Sequence, residues 1–278
     1  MGAIGLAPAS QRPSVSSSML CVLCLCGPVS STFYPVNLIL LAPTEVSDAG
    51  DAVLSDARAA HLTHVLEVAP GDQVRVGILD GPHGTGAVQA ITADGVRLHC
   101  TFEASVPPPP PVDLLLALPR PKVMRRLWAQ IAALGVGQII LTNAGRVERN
   151  YFDTHVITPD CYRPLLIEGL QQARDTRLPR VSIHRRFKVL VEDAIDDLFG
   201  NGLRVVAHPD ATRPAGAVVR ERADGRVLLA IGPEGGWTEF ELALLDAHGF
   251  TAAGMGPRTL RTDTACLALL ALVHESMR

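Results

Sequence analysis

The chain has 278 residues, 47% of them hydrophobic and 4% aromatic, with a formal net charge of -3. That length leaves room for one large domain or two ordinary ones, and the apolar share is ample for a core. The charge balance excludes a protein drawn to nucleic acid by its overall field, so any such contact must use a local basic surface. Few aromatics argue against a module that reads bases mainly by stacking.

The first 35 residues differ from the rest. Serine-rich Pro13 to Ser18 leads into Met19-Leu20-Cys21-Val22-Leu23-Cys24-Leu25-Cys26, an apolar stretch too short to span a bilayer. It follows Arg12 as a signal-peptide core would, but no small-x-small cleavage pattern comes cleanly after it. Cys21, Cys24 and Cys26 have one metal-like spacing and lack a second Cys/His cluster to complete four ligands. The expectation for residues 1–35 is a disordered or artefactual extension. Six cysteines, unevenly placed, suggest reduced thiols. A cytoplasmic protein with no resident metal and no membrane association is expected.

Residues 36–106 read as β-rich. Leu38 to Ala42 opens the segment, Asp56 to Val68 suits a short helix, and Gln73 to Leu79, Ala87 to Thr92 and Val96 to Phe102 supply strands. Asp80-Gly81 signals a turn. Short strands divided by Gly and Asp suggest a small barrel. Acids prevail here, with Glu45, Asp48, Asp51, Asp56, Glu67 and Asp72 outnumbering the bases. His61 and His64 share a helical face, where packing or capping explains them better than a metal does. Pro107 to Pro111 admit neither helix nor central strand and mark a stiff domain boundary.

Beyond the prolines, residues 112–278 alternate strands with helices, the pattern of an α/β domain with a parallel sheet. Val112 to Leu118 is a continuous apolar strand. Lys122 to Leu134 repeats apolar residues at helical spacing, and Gly135 suits the position just past the helix end. Gln138 to Leu141, Leu203 to Ala207 and Val227 to Ile231 are further buried strands. Lys122, Arg125, Arg126, Arg146, Arg149 and Arg177 belong to a basic series in which acids are sparse. Such a cluster in an acidic protein favours phosphate contact over a merely solvated face.

Two strand-loop-helix units close the chain. After Ile231 come Gly232-Pro233-Glu234-Gly235-Gly236-Trp237, then Thr238 and Glu241 at capping-box spacing. A strand from Thr251 to Met255 precedes Gly256-Pro257-Arg258-Thr259-Leu260-Arg261-Thr262-Asp263-Thr264-Ala265. A helix that is apolar nearly all round follows, and it needs cover on more than one side, from its own core or from a symmetric partner. Loops at the carboxyl ends of neighbouring strands are where open α/β sheets bind ligands. No G-x-G-x-x-G or G-x-x-x-x-G-K-[ST] occurs, so dinucleotide and nucleoside-triphosphate sites lose their usual support.

Ile231 to Gly236 and Met255 to Ala265 together resemble the paired signature of the RsmE-type ribosomal RNA methyltransferases of the SPOUT class. The resemblance continues through Leu118-Pro119-Arg120-Pro121-Lys122, Leu134-Gly135-Val136 and Arg177-Leu178-Pro179, and reaches back to about Asn37. It implies an S-adenosyl-L-methionine-dependent enzyme that methylates N3 of a uridine in 16S, small-subunit, ribosomal RNA. It also implies a PUA-like RNA-binding barrel over 36–106, a SPOUT domain with a C-terminal trefoil knot over 112–278, and a homodimer. Because the pattern begins near Val36, the natural start is expected downstream of Met1. Three departures bear on RNA grip: Glu67 replaces an arginine, Gln171-Gln172-Ala173 stands for Glu-Gln-Ser with Asp175 near an expected arginine, and Asn150 replaces a serine.

Methyl transfer is an in-line displacement, so catalysis is chiefly positioning. The cofactor pocket is expected from His208, Ile231, Gly232, Pro233, Glu234, Gly235, Gly236, Met255, Gly256, Arg258, Leu260, Thr264 and Ala265. Uridine N3 must lose a proton, and the charge then spreads to O2 and O4, where arginines would stabilise it. Arg258 and Arg261 suit that role or phosphate grip, with ion pairs to Glu234 or Asp263 as the rival reading. Glu234 and Asp263 are the nearby carboxylates; Asp263 also suits a helix cap. Glu234, Arg258 and Arg261 are the catalytic candidates. Two other functions stay open: modification of a different RNA position, and a non-catalytic RNA-binding assembly factor.

Overall fold

The computed structural model describes residues 38–222 and 225–278, which form two sheets; the expected extension, including Cys21, Cys24 and Cys26, lies outside them. The smaller sheet holds β1 (Ile39–Leu41), β2 (Asp51–Leu54), β3 (Gln73–Ile78), β4 (His83–Thr92) and β5 (Gly95–Phe102), in the order β1-β3-β4-β5-β2. β1 pairs parallel to β3, and the other pairings are antiparallel. β3 turns into β4 at Asp80, whose φ of 58° puts it in the left-handed region that Asp tolerates. The strand β2, absent from the sequence expectation, is short and alternates exposed and buried residues beside β5. Helix α1 (Ala57–His64) stops short of the expected Val68 and is capped by Asp56, which accepts from Arg58 N at 2.9 Å.

The local acids have a structural use. Arg58 binds Glu45 and Asp56 and donates to the Leu40 carbonyl at 2.7 Å. The hydrogen bond from Arg58 holds both carboxyls below their usual range.

The larger sheet is wholly parallel. Its elements are β6 (Val112–Ala117), α2 (Pro121–Ala133), β7 (Val136–Thr142), α3 (Pro159–Ala173) and β8 (Arg180–His184). An irregular helix follows, made of α4 (Phe187–Val189), a π-helical turn (Leu190–Ala194) and α5 (Ile195–Phe199). Then come β9 (Leu203–Ala207), α6 (Ala215–Arg222), β10 (Val227–Ile231), α7 (Glu239–Ala247), β11 (Phe250–Ala253) and α8 (Thr262–Ser276). The order is β11-β9-β10-β6-β7-β8, and the central strands β6 and β10 are buried at every position. Burial on both faces is why they read as unbroken apolar runs. The exception is Asp113 in β6, 1% exposed and bound to Arg226. Helix α2 ends as expected, with Gly135 at φ 77° just past it.

Helix α3 presses onto α2 at Gly169, where an added Cβ would lie 2.1 Å from the Ala129 carbonyl oxygen. Helix α8 packs against α6, α2, β10 and β6, while Leu272 on its outer side is 41% exposed. Among the described residues no helix is long and apolar enough to cross a membrane, and no cluster of three or more His, Cys, Asp or Glu could hold a metal.

Two features join the sheets. Alternation in β1 sends Ile39 and Leu41 into the small core and Leu38 and Leu40 into the large one. The segment after α3 then locks onto the β3–β4 turn. Asp80 N donates to Thr176 O at 2.7 Å, Thr176 Oγ1 donates to Gly81 O at 2.7 Å, and Leu178 N donates to Asp80 Oδ1 at 3.0 Å. Asp175 supports that lock, its Oδ1 accepting from Thr176 N and Arg177 N. The last proline is likewise committed, since Val227 N donates to Pro111 O at 3.0 Å.

Candidate active site

The carboxyl ends of β11, β9 and β10, adjacent in the sheet, border a crevice of about 270 Å³. That is close to the lower end, about 300 Å³, of the range for small-molecule sites. One wall is the loop after β10, from Ile231 through Gly232, Pro233, Glu234, Gly235 and Gly236 to Trp237. The facing wall follows β11 and includes Met255, Gly256, Arg258 and Leu260. Gly235 and Leu260 therefore line one cavity. His208 closes the third side at the end of β9, and Ala265 comes up from α8.

Local chemistry builds each wall. Thr238 Oγ1 accepts from Glu241 N at 3.3 Å, while the Glu241 carboxylate accepts from Thr238 N at 2.8 Å. This reciprocal cap fixes where the first loop stops and α7 starts. Gly236 takes φ 73° and Gly256 φ 102°, conformations that favour glycine. Gly254 is stitched to the chain before α6, donating to Arg213 O at 2.9 Å and accepting from Ala215 N at 2.9 Å. Thr262 Oγ1 reaches the Gly232 carbonyl at 3.4 Å, so the start of α8 touches the first loop.

The charged candidates divide. Glu234 is exposed, and its Oε1 accepts from Arg120 N at 3.1 Å, which aims it at the turn between β6 and α2. Arg258 is exposed on the crevice wall, whereas Arg261 is the N-cap residue of α8 and lies outside the lining. The rival ion pairs are not formed: among the described residues Asp263 pairs with Arg126 at 3.4 Å, and Glu234 has no ion pair. Thr264 is exposed on α8, also outside the lining.

Of the basic series, Lys122, Arg125, Arg126 and Arg149 are exposed, the first three along α2. Arg177 is drawn inward and donates to Asp80 O at 3.1 Å, so its guanidinium serves the contact between sheets. Arg146 lines the crevice, donating through Nη1 to the Gly235 and Trp237 carbonyls. A Cβ on Gly235 would sit 3.1 Å from Arg146 Cβ and Cδ. The missing side chain at Gly235 thus makes room for Arg146 as well as for a ligand.

Several lining residues stand outside the sequence expectation, among them Trp237 and Thr262. Trp237 is 4% exposed and packs tilted against Phe187 with ring centroids 5.4 Å apart. Its place directly after Gly236 was the available signal. Thr262 stands in the second quoted stretch, but its role depends on a carbonyl in the other loop.

The arrangement suits a nucleoside-bearing ligand. Ile231, Leu260, Ala265 and Leu269 supply apolar surface, and the glycine loops expose backbone donors and acceptors for heteroatoms.

Comparison with known proteins identifies the family. The RNA methyltransferase domain family matches residues 107–274. The ribosomal RNA small subunit methyltransferase E of Treponema pallidum (strain Nichols) is 33% identical over 245 residues, covering 86% of this chain and 90% of that protein. The protein of that name from Mycobacterium bovis is 28% identical over 224 residues, covering 80% and 85%. In three dimensions, the ribosomal RNA small subunit methyltransferase E from Neisseria gonorrhoeae, solved bound to S-adenosyl methionine, superimposes with a TM-score of 0.70. It is 21% identical, with 86% of this chain and 97% of that one covered, and the likeness shows the fold. With a parallel α/β sheet, a crevice at its carboxyl edge and these relatives, the chain belongs to the RNA methyltransferase family, among the small-subunit methyltransferases E.

Proposed function

We propose that the protein transfers a methyl group from S-adenosyl-L-methionine to N3 of a uridine in 16S ribosomal RNA. The observation that carries this reading is the meeting of the Gly232–Gly236 and Met255–Leu260 segments on one crevice. The fit to the cofactor rests on that crevice. Its floor is apolar, built from Ile231, Leu260, Ala265 and Leu269, and both glycine loops present backbone groups to it. When bound, the cofactor supplies an electrophilic methyl on a sulfonium.

The chain's own residues supply the rest. Backbone groups of both glycine loops and the Ile231, Leu260 and Ala265 side chains hold the adenosyl part and exclude water. Arg258 grips the substrate at the crevice mouth. Lys122, Arg125, Arg126 and Arg149 receive RNA phosphates, and the target base is flipped out to reach the pocket.

The reading includes four finer points. Residues 36–106 act as a PUA-like RNA-binding barrel, consistent with a five-stranded sheet of mixed pairing. Residues 112–278 form a SPOUT domain with a trefoil knot; the stitching of Gly254 to Arg213 and of Thr262 to Gly232 supports it. A homodimer covers the outer side of α8 around Leu272. The work is done in the cytoplasm, where the small subunit is assembled.

Calorimetric titration with S-adenosyl-L-methionine tests the enzyme reading; a chain that does not bind it is not the enzyme. Mass mapping of modified uridines in RNA from a deletion strain tests the position. Unchanged uridine methylation in 16S RNA would refute it, and loss at another site would assign a different substrate.

A further inference from the structure

Glu241 is buried to 4% exposure, and one of its bonds is not needed for helix capping. Its Oε2 accepts from Thr238 N at 2.8 Å and Thr238 Oγ1 at 3.0 Å, which completes the cap. Its Oε1 accepts from Gly145 N at 2.6 Å, in the loop after β7. Gly145 precedes Arg146, and buried Ala144 and Val147 pin the loop on either side. Arg146 is thus held from two directions, by its backbone through Glu241 and by its side chain on the Gly235 and Trp237 carbonyls. Both side-chain bonds use Nη1; among the described residues Nε and Nη2 make none.

Resting on the methyl-transfer reading, we propose that Glu241 is a positioning residue whose bond to Gly145 holds Arg146 at the crevice as the cation that stabilises the deprotonated uracil. In the step concerned, the N3 proton passes to a base, for which hydroxide serves at high pH. The N3 electron pair forms the N–C bond as the C–S bond breaks, and the C–S pair stays on sulfur, leaving a thioether. Negative charge on uracil O2 and O4 is greatest just before that displacement. A cation fixed in advance stabilises it without reorganising, and of two exposed arginines at the crevice it is Arg146 that is tied to the Gly235 and Trp237 carbonyls.

The test compares Arg146→Ala, Arg146→Lys, Glu241→Gln and Thr238→Ala for kcat and KM across pH on small-subunit RNA, with cofactor affinity measured by calorimetry. At saturating cofactor, Arg146→Ala is expected to lose roughly 100-fold in kcat near neutrality. Its rising pH limb should move to higher pH, so that alkali restores part of the rate; Arg146→Lys should retain an intermediate rate. Glu241→Gln should move the limb the same way with about a 10-fold loss in kcat and little change in KM. Thr238→Ala damages the same cap without touching Gly145, so it should melt lower and keep the parental pH limb. Parental kcat in Arg146→Ala, or equal limb shifts in Thr238→Ala and Glu241→Gln, overturns the proposal and leaves the methyl-transfer reading intact. If Glu241→Gln fails to fold, the pH profile of the surface variant Arg146→Ala decides. An unmutated chain that binds no cofactor fails the methyl-transfer reading first.

Discussion

Replacing Gly169 by alanine sets two physical effects against each other. Within an exposed helix the change stabilises by about 1 kcal/mol, because alanine has the better helix propensity. Gly169, however, is buried where α3 crosses α2, and the new Cβ would lie 2.1 Å from Ala129 O and 2.8 Å from Ala129 C. Both atoms are backbone inside α2, so no side chain can turn aside. The helices would have to part by more than an ångström. Overpacking of this kind costs about 1–3 kcal/mol and sometimes more, so the net should be a loss of roughly 2 kcal/mol after the propensity gain. For a domain of this size that is a fall in Tm of about 4–8 °C. Scanning calorimetry of the two proteins at one pH measures it. An unchanged or higher Tm for Gly169→Ala would show that helix propensity outweighs the close crossing, and the packing argument would be refuted.

Three further outcomes follow from particular contacts. Gly232→Ala places a Cβ 3.1 to 3.3 Å from the buried Trp237 indole, so calorimetry should find cofactor affinity reduced by about 10-fold, a cost within the overpacking range; unchanged affinity would deny the loop its role. Arg226→Ala strands Asp113, whose pKa burial already raises against the pull of Arg226, and should destabilise by about 3 kcal/mol in urea unfolding. A carboxyl whose folded pKa is raised loses stability as pH climbs above its unfolded value of 3.8, so the deficit should shrink in acid. His274 has its pKa lowered from 6.5, first by burial and then by Arg278. It folds neutral, so the unfolded chain binds more protons, and stability should fall as pH drops below 6.5. In His274→Gln, urea midpoints at pH 7.5 and 5.5 should lie closer together than in the parent.

The parts legible in the sequence are those set by neighbours along the chain. Strand β10 is an unbroken apolar run, β6 and β9 are apolar but for Asp113 and Arg204, the Thr238–Glu241 cap is a four-residue pattern, and Gly135 ends α2 where its backbone freedom is needed. The helix α3 was hidden by Pro164 inside it, which removes one donor from its first turns. Edge strand β8 was hidden because only one of its sides is paired and its residues alternate weakly between exposed and half-buried. Glycine loops announced the crevice, but not who shares it. Arg146 looked like one basic residue among many, because its place depends on the bond from Gly145 to Glu241, 96 positions away. Arg177 looked like an RNA-gripping position for the same reason, yet its partner Asp80 O lies in the β3–β4 turn, and Asp175 braces that segment through Thr176 N and Arg177 N. The five prolines suggested a spacer, yet Pro111 already accepts a bond from the first residue of β10.

Strand β1 has a consequence for how a large substrate is handled. With Leu38 and Leu40 seated in one core and Ile39 and Leu41 in the other, the two halves cannot swing apart without baring one pair of aliphatic side chains. An RNA that touches both sheets therefore meets a rigid gauge of fixed span, and it must bend to the protein.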